Sequence, residues 1–184
     1  MDTSLNKALV RTILEHAEDY PWLMQEIGLL GLRLDDKREY RLHVWDPSSS
    51  VGEPPIHDHP FDFTSTVIAG EMTNTRYKED PLGVEYRRVR YTPPNEDDRR
   101  SDTVRLSGMA TTLTAEAQYH QLAHELHDSR QLPGTVTIIR RTFTRDVSEL
   151  TVCNREEAGW VSGQSRPAAP ADVKRITATA LELF

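Results

Sequence analysis

The pair His57 and His59, separated by Asp58, constrains this chain most. It stands at the entrance to a run of aromatic and β-branched residues, 61–68, that is typical of a strand. Side chains at i and i+2 of a strand point to the same face, so the two imidazoles would face one way. A third imidazole from a distant strand would complete one face of the coordination sphere of a divalent metal and leave its other coordination positions open. The pair therefore predicts a β fold with a metal site.

The context of the pair raises its weight above that of a chance match. With seven histidines in the chain, roughly 0.26 such pairs would arise at random, so the spacing alone is a weak signal. A glycine- and proline-rich approach at 52–55 precedes the pair, and Ala69-Gly70-Glu71 ends the following strand as a turn.

These residues resemble the first motif of the cupin superfamily, G-x5-H-x-H-x3,4-E-x6-G. His57 and His59 take the histidine slots, Phe63 takes the glutamate slot, and Gly70 follows after six residues. The second motif, G-x5-P-x-G-x2-H-x3-N, is placed on Gly108 to His124. In that frame His120 takes the histidine slot and His124 the asparagine slot, while Ala115 and Ala117 replace proline and glycine. The resemblance covers residues 40–145.

The resemblance implies a metal site made of His57, His59 and His120 only, because Phe63 replaces the carboxylate. Histidine-only sites are similar to those of thiol dioxygenases of the cysteine dioxygenase type, which bind non-haem Fe(II) and add dioxygen to a thiolate. Fe(II) is the expected metal, with Ni, Zn and Cu also compatible with three imidazoles. Neutral ligands leave the metal's charge available for an anionic substrate.

The chain departs from that family at its auxiliary residues. Thr64 stands where mammalian members carry a cross-linked cysteine, and the Ser-His-Tyr relay would fall on Thr137, Ile139 and Arg141. The implied substrate is therefore a small thiol or another anionic chelating molecule. Two residues are candidate catalytic proton groups in place of the relay, His124 and Tyr119.

Arginines are the natural anchors for a substrate carboxylate, through bidentate hydrogen bonds. The thiol dioxygenases use one on the strand before the first motif, where Arg33 is preferred over Arg38 and Arg41. Arg140 and Arg141 follow the third histidine, and strand alternation sends one of them inward.

Composition limits the remaining possibilities. A net charge of −7 argues against nucleic acid as a partner, so a small-molecule substrate and dioxygen are the expected partners. The single cysteine excludes an intrachain disulfide and suits a reducing compartment. With no apolar run of spanning length and no signal-peptide pattern, we expect a cytoplasmic protein that does not bind membranes. The oligomeric state stays open.

The predicted fold is mainly β, a cupin-like double-stranded β-helix, or jelly-roll barrel, with N-terminal helices and a C-terminal helix. We expect a single domain, 1–184, with a helical segment at 1–31, the barrel at 32–150, and a tail with a closing helix at 151–184. Other predicted elements are helices at 4–17, 21–27 and 172–183, a hairpin of 85–91 and 103–106, a strand at 135–144, and a loop at 160–169.

Two alternatives remain at this level. On a helix, His120, His124 and His127 would share a face and could form a metal site of their own. The function could also be that of a non-catalytic or isomerase-like small-molecule-binding cupin with a structural metal. Iron content and dioxygen consumption would separate this alternative from a dioxygenase.

Overall fold

The computed structural model describes residues 3–37, 39–50, 55–92, 95–144, 150–155 and 165–184. Two helices stand at the ends of the chain, α1 (Thr3–Glu15) and α2 (Pro170–Leu181). The strands in chain order are β1 (Leu23–Gln25), β2 (Ile27–Arg33), β3 (Tyr40–Ser50), β4 (Ile56–His57), β5 (Phe61–Ala69), β6 (Glu71–Thr92), β7 (Asn95–Thr114), β8 (Gln118–Gln121), β9 (His127–Gln131), β10 (Val136–Thr144), β11 (Leu150–Asn154) and β12 (Ser165–Pro167). The mainly-β class predicted from the strand patterns is confirmed.

The strands form two antiparallel sheets, as in a β-sandwich. The seven-stranded sheet has the order β12-β1-β2-β3-β10-β5-β8, and the five-stranded sheet has the order β11-β4-β9-β6-β7. The chain passes repeatedly from one sheet to the other, for example between β4 and β5 and between β8 and β9. These two connections bring histidine-bearing segments to the boundary between the sheets.

The side chains of β3 alternate between two faces of the sheet. One face packs in an apolar core beneath the helices, and the other faces the space between the two sheets. Leu42 and Val44 are fully buried in a cluster with side chains of α1 and α2. Arg41 and His43, at the alternate positions, therefore point to the opposite face of the sheet. The two helices thus cover the outer face of the seven-stranded sheet, and polar residues face the second sheet. Among the described residues, neither helix is long and apolar enough to cross a membrane.

The helix predicted at 21–27 is wrong, because this segment is extended. Leu23 pairs with Gly31 and Gln25 pairs with Leu29, and β12 pairs with the other edge of β1. Gly28 has a φ of 74°, a conformation that costs glycine little and other residues much. Strand pairing on both edges outweighs the short apolar periodicity that favoured a helix, and the first sheet begins well before residue 32.

The predicted hairpin forms, with strands longer than the pattern indicated. β6 and β7 pair from Glu71 with Thr114 to Thr92 with Asn95, so both strands extend beyond the predicted ranges of 85–91 and 103–106. The closing helix also forms, at Pro170–Leu181. Of the loop predicted at 160–169, residues 165–167 form β12, and 160–164 lie outside the described residues.

Candidate metal centre

Three histidines converge where the two sheets meet, His57, His59 and His127. One ring nitrogen of each lies within 4.8 Å of the corresponding nitrogens of the other two. His59 Nε2 and His127 Nε2 are 2.9 Å apart, and the centroids of the His57 and His127 rings are 4.9 Å apart. These three histidines form a group that could hold a metal ion, and we call it the histidine triad.

Strand register explains why His127 joins the pair. β4 pairs with β9 through His57 opposite His127, and directly opposed residues of antiparallel strands point to the same face. The segment before β9 is fastened to the strand that follows the pair. Its Ala123 N–H donates to Asp62 Oδ1 at 2.6 Å, and the His124 N–H donates to the carbonyl of His59 at 3.3 Å.

The structure brings His57 and His59 together as predicted, but places His127 beside them in the position expected for His120. His120 lies on β8 opposite Thr64 of β5. Since Phe63 faces the interior, Thr64 and His120 point the other way. The exposed His120 ring contacts Thr64 Oγ1 through Nδ1 at 3.2 Å, and it is outside the triad. The alternative site of His120, His124 and His127 on one helix is also not formed, because they lie on β8, a loop and β9.

Hydrogen bonds orient two of the three rings. His57 Nδ1 lies 3.0 Å from the carbonyl oxygen of Pro55, and His127 Nδ1 lies 2.8 Å from Asn74 Oδ1. An oxygen acceptor of this kind requires a proton on Nδ1, which leaves the lone pair on Nε2. Histidine ligands of metals commonly donate their second ring N–H to such an oxygen. Both rings therefore present a ligating nitrogen to the centre.

Burial keeps the triad neutral. The pKa of His57 is lowered mainly by burial, against the opposing effect of its bond to Pro55 and of nearby carboxylates. Burial also lowers the pKa of His59 and of His127 well below the usual range, and the neighbouring histidines add to the effect. Neutral imidazole is the form that binds a metal.

The spacing of the nitrogens suits a first-row divalent metal. With metal–nitrogen bonds of about 2.1 Å, two ligands at right angles would be about 3.0 Å apart. The 2.9 Å between His59 Nε2 and His127 Nε2 is close to that value. The donor set contains imidazole nitrogens and no carboxylate, which suits Fe, Ni, Cu and Zn and disfavours Mg and Ca.

Aromatic rings close one side of the triad. Phe63 is 1% exposed, and its ring centroid lies 5.1 Å from that of His59 and 5.9 Å from that of His127. Phe61 is 5.2 Å from the His59 ring. Phe63, which stands in the glutamate slot of the cupin motif, thus supplies an apolar wall against the histidines.

Arg141 is the predicted arginine that reaches this region. Its guanidinium carbon stands 3.7 Å from the centroid of the Phe61 ring, and its charge lowers the pKa of both His59 and His43. Arg41, from the neighbouring strand, acts on His43 in the same direction. His43 itself is buried, and its pKa falls to about 3, chiefly through burial. Positive charge therefore borders the triad from the β3–β10 side.

The other two predicted arginines do not reach the histidine triad. Arg33 is exposed at the end of β2, opposite Arg41. Arg140 is exposed, with its guanidinium 5.7 Å from the centre of the Tyr40 ring. Arg38, a lesser candidate, lies outside the described residues.

The two candidate proton groups differ in position. His124 is exposed, with Nδ1 3.6 Å from Asp58 Oδ2, and is not part of the triad. Tyr119 is largely buried, its ring packs edge-on to Phe63 at 5.9 Å, and it hydrogen-bonds to Ser129 and Ser65. Burial raises the pKa of the Tyr119 phenol. Of the two, Tyr119 is the one oriented toward the interior.

Sequence reasoning considered His127 only in the alternative site with His120 and His124, and it missed Asn74. The signal that would have found His127 is backbone conformation. Among the described residues, Glu116 and His124 are the two non-glycine residues with positive φ, 74° and 67°. They precede His127 by eleven and three residues. Glutamate and histidine side chains do not indicate a positive φ, so the sequence does not reveal this conformation.

Comparisons with known proteins add little to this geometry. No protein-family model matches the chain, and no curated protein matches it. A solved structure described as Drosophila melanogaster CENP-C bound to CAL1 aligns with 77% of this chain and all of that one. The identity is 8% and the TM-score is 0.38.

Proposed function

We propose that this protein is a cupin-type, metal-dependent dioxygenase that acts on a small thiol or another anionic chelating molecule. The observation that carries the proposal is the histidine triad, in which one buried and two half-buried imidazoles converge without a carboxylate, each with its pKa lowered chiefly by burial. Fe(II) is the proposed metal, held by His57, His59 and His127.

The backbone supports a jelly-roll barrel of the cupin type. When the histidine slot of the motif G-x5-P-x-G-x2-H-x3-N is placed on His127, its two glycine slots fall on Glu116 and His124. Both have the positive φ that glycine adopts readily. Gly70, the last residue of the first motif, also has positive φ, 84°. With its histidine slot on His127, seven residues after His120, the second motif thus has glycine-like backbone conformation at both of its glycine slots.

Charge favours an anionic substrate. Three neutral ligands leave a divalent metal with its full charge, and Arg141 and Arg41 add positive charge beside the triad. The Phe61 ring under the Arg141 guanidinium holds its plane in one orientation. We propose that Arg141 binds the substrate's carboxylate or an equivalent anionic group.

The remaining residues supply positioning and proton control. A bound iron would supply open coordination positions and one-electron redox chemistry. Phe61 and Phe63 keep water from the Arg141 side of the triad, where a charged group would otherwise be hydrated. Tyr119 keeps its proton at the phenol oxygen because burial raises its pKa, so it can donate a hydrogen bond or a proton to a bound anion.

Metal analysis after anaerobic purification tests the site. We expect about one equivalent of iron in the wild-type protein and in His120→Ala, and loss of metal in His57→Ala and His127→Ala. His120 is a matched control because it is an exposed histidine that lies outside the triad. Metal retained in His127→Ala and lost in His120→Ala would contradict the proposed site.

Oxygen uptake tests the reaction. The Fe(II) form is mixed with a panel of small thiols and other chelating acids in an oxygen electrode, and we expect stoichiometric dioxygen consumption with at least one. Binding of a ligand that is released unchanged, without oxygen uptake, would instead favour the alternative of a non-catalytic or isomerase-like binding cupin with a structural metal.

A further inference from the structure

The side chain of Asn74 is hydrogen-bonded to the Nδ1 of His127, one of the triad histidines. It lies on β6, is 4% exposed, and its Oδ1 accepts from His127 Nδ1 at 2.8 Å and from Ser129 Oγ at 3.0 Å. An amide oxygen has two lone pairs, so these two bonds use its full accepting capacity. The oxygen is thereby fixed against His127.

We propose that Asn74 is a positioning residue that holds His127 as the Nδ1–H tautomer, so that its Nε2 lone pair faces the other two histidines, and that its neutral amide preserves the positive charge of the metal site. This inference rests on the proposed metal-binding function. The inference goes beyond that function by naming the residue that sets the tautomer of His127 and the charge of the metal-bound site.

The second oriented ring shows why Asn74 is the informative position. His57 Nδ1 is held by the main-chain carbonyl of Pro55, which no side-chain substitution removes. At His127 the same task falls on an amide side chain, which can be replaced. A change at Asn74 therefore alters the orientation and charge of one ligand while leaving the other intact.

The amide also has a consequence for ligand preference. A carboxylate at this place would add a full negative charge beside the imidazole and make it a stronger donor to the metal. It would equally oppose any anion bound at the metal's open positions. Asparagine supplies the orienting acceptor without that repulsion, which agrees with the positive charge of Arg141 nearby.

The first test needs no metal and no variant. Heteronuclear NMR of the metal-free wild-type protein with nitrogen-labelled histidine distinguishes protonated from unprotonated ring nitrogens. We expect the His127 ring to carry its proton on Nδ1. An unprotonated Nδ1 in the folded protein would mean that the amide presents its NH2 group, and would overturn the inference.

The second test compares two substitutions with Co(II) as a visible spectroscopic probe. Asn74→Leu keeps the approximate volume and removes the acceptor, and we expect Co(II) to bind about tenfold to a hundredfold more weakly. Asn74→Asp restores an acceptor, so Co(II) should bind at least as tightly as in the wild type, while azide, added as a probe anion, should bind the Co(II) form more weakly.

Thr73→Ala provides the control, since Thr73 is the preceding residue of β6 and alternation places it on the other face. It should match the wild type for Co(II) and azide. Wild-type affinity in Asn74→Leu, or unchanged azide affinity in Asn74→Asp, would contradict the inference. If the wild type bound no Co(II) at all, the proposed function would fail, and the tautomer measurement would still decide the role of Asn74.

Discussion

His59 Nε2 lies 2.9 Å from His127 Nε2, although the two residues are 68 positions apart in the chain. In the metal-free protein one N–H of this pair can donate to the other nitrogen. A metal bound here would need the lone pairs of both Nε2 atoms, so the ring that carries this proton would have to hold it on Nδ1 instead. The contact therefore marks the place where binding of a cation and the tautomer of a histidine are coupled.

Metal binding should stabilise the fold. A ligand that binds the folded state alone, present at a hundred times its Kd, adds about 2.7 kcal/mol. We expect added Co(II) to raise the Tm of the metal-free wild type by several degrees, as measured by thermal unfolding under nitrogen. His120→Ala should show the same rise, and an equal rise in His127→Ala would contradict the triad.

Arg141→Lys should weaken binding of an anionic ligand without loss of metal. Lysine keeps the charge but loses the planar group that stacks on Phe61 and donates two parallel hydrogen bonds. Hydrogen bonds to charged groups contribute about 1.5–3 kcal/mol, so we expect roughly a tenfold to hundredfold rise in Kd or KM. Arg140→Lys, on the exposed face of the same strand, should behave as the wild type. Equal effects at both positions would argue against Arg141 as the anchor.

His43 should make the fold less stable in acid. Its pKa is about 3 in the folded protein and about 6.5 in an unfolded chain. Above the higher value both states are neutral, so stability is unaffected. Below it, the unfolded state takes up a proton that the folded state refuses. Stability is therefore lost as pH falls from about 6.5 toward 3, by at most about 1.4 kcal/mol per pH unit.

Urea unfolding of the metal-free protein at about pH 7.5 and about pH 5 measures this effect. His43→Gln should lose less stability than the wild type over that interval, because glutamine does not titrate. His16→Gln is a suitable control from outside the interior of the sandwich. An unchanged pH dependence in His43→Gln would contradict the expected contribution.

Gly70→Ala should destabilise the fold strongly. Gly70 has a φ of 84°, and an added Cβ would lie 2.6 Å from Thr135 Oγ1 and 2.8 Å from Thr135 Cα. Backbone strain of this kind costs about 1–3 kcal/mol. The clash of the added Cβ with Thr135, which directly precedes β10, adds to this cost. Urea denaturation should show the loss, and Gly31→Ala, whose Cβ would meet nothing closer than 3.8 Å, should be much milder. Similar losses in both variants would refute the steric argument.

The sequence by itself determined the mainly-β class, the two terminal helices and two of the three triad histidines. Alternating β-branched strands and a terminal amphipathic pattern are local signals, because each depends only on neighbouring residues. The pair His57 and His59 was predictable for the same reason, as was the turn at Gly70, where glycine alone has the freedom required. The inward side chain of Arg141 was predicted only as one of two possibilities.

Only the tertiary structure decided which third histidine completes the triad. His120 and His127 lie seven residues apart, and the motif placed on Gly108 to His124 put the histidine slot on His120. Strand register settled the question. His57 pairs with His127, whereas His120 pairs with Thr64 on the outward face. Register is set by hydrogen bonding and burial across strands distant in sequence, so no local pattern carries it.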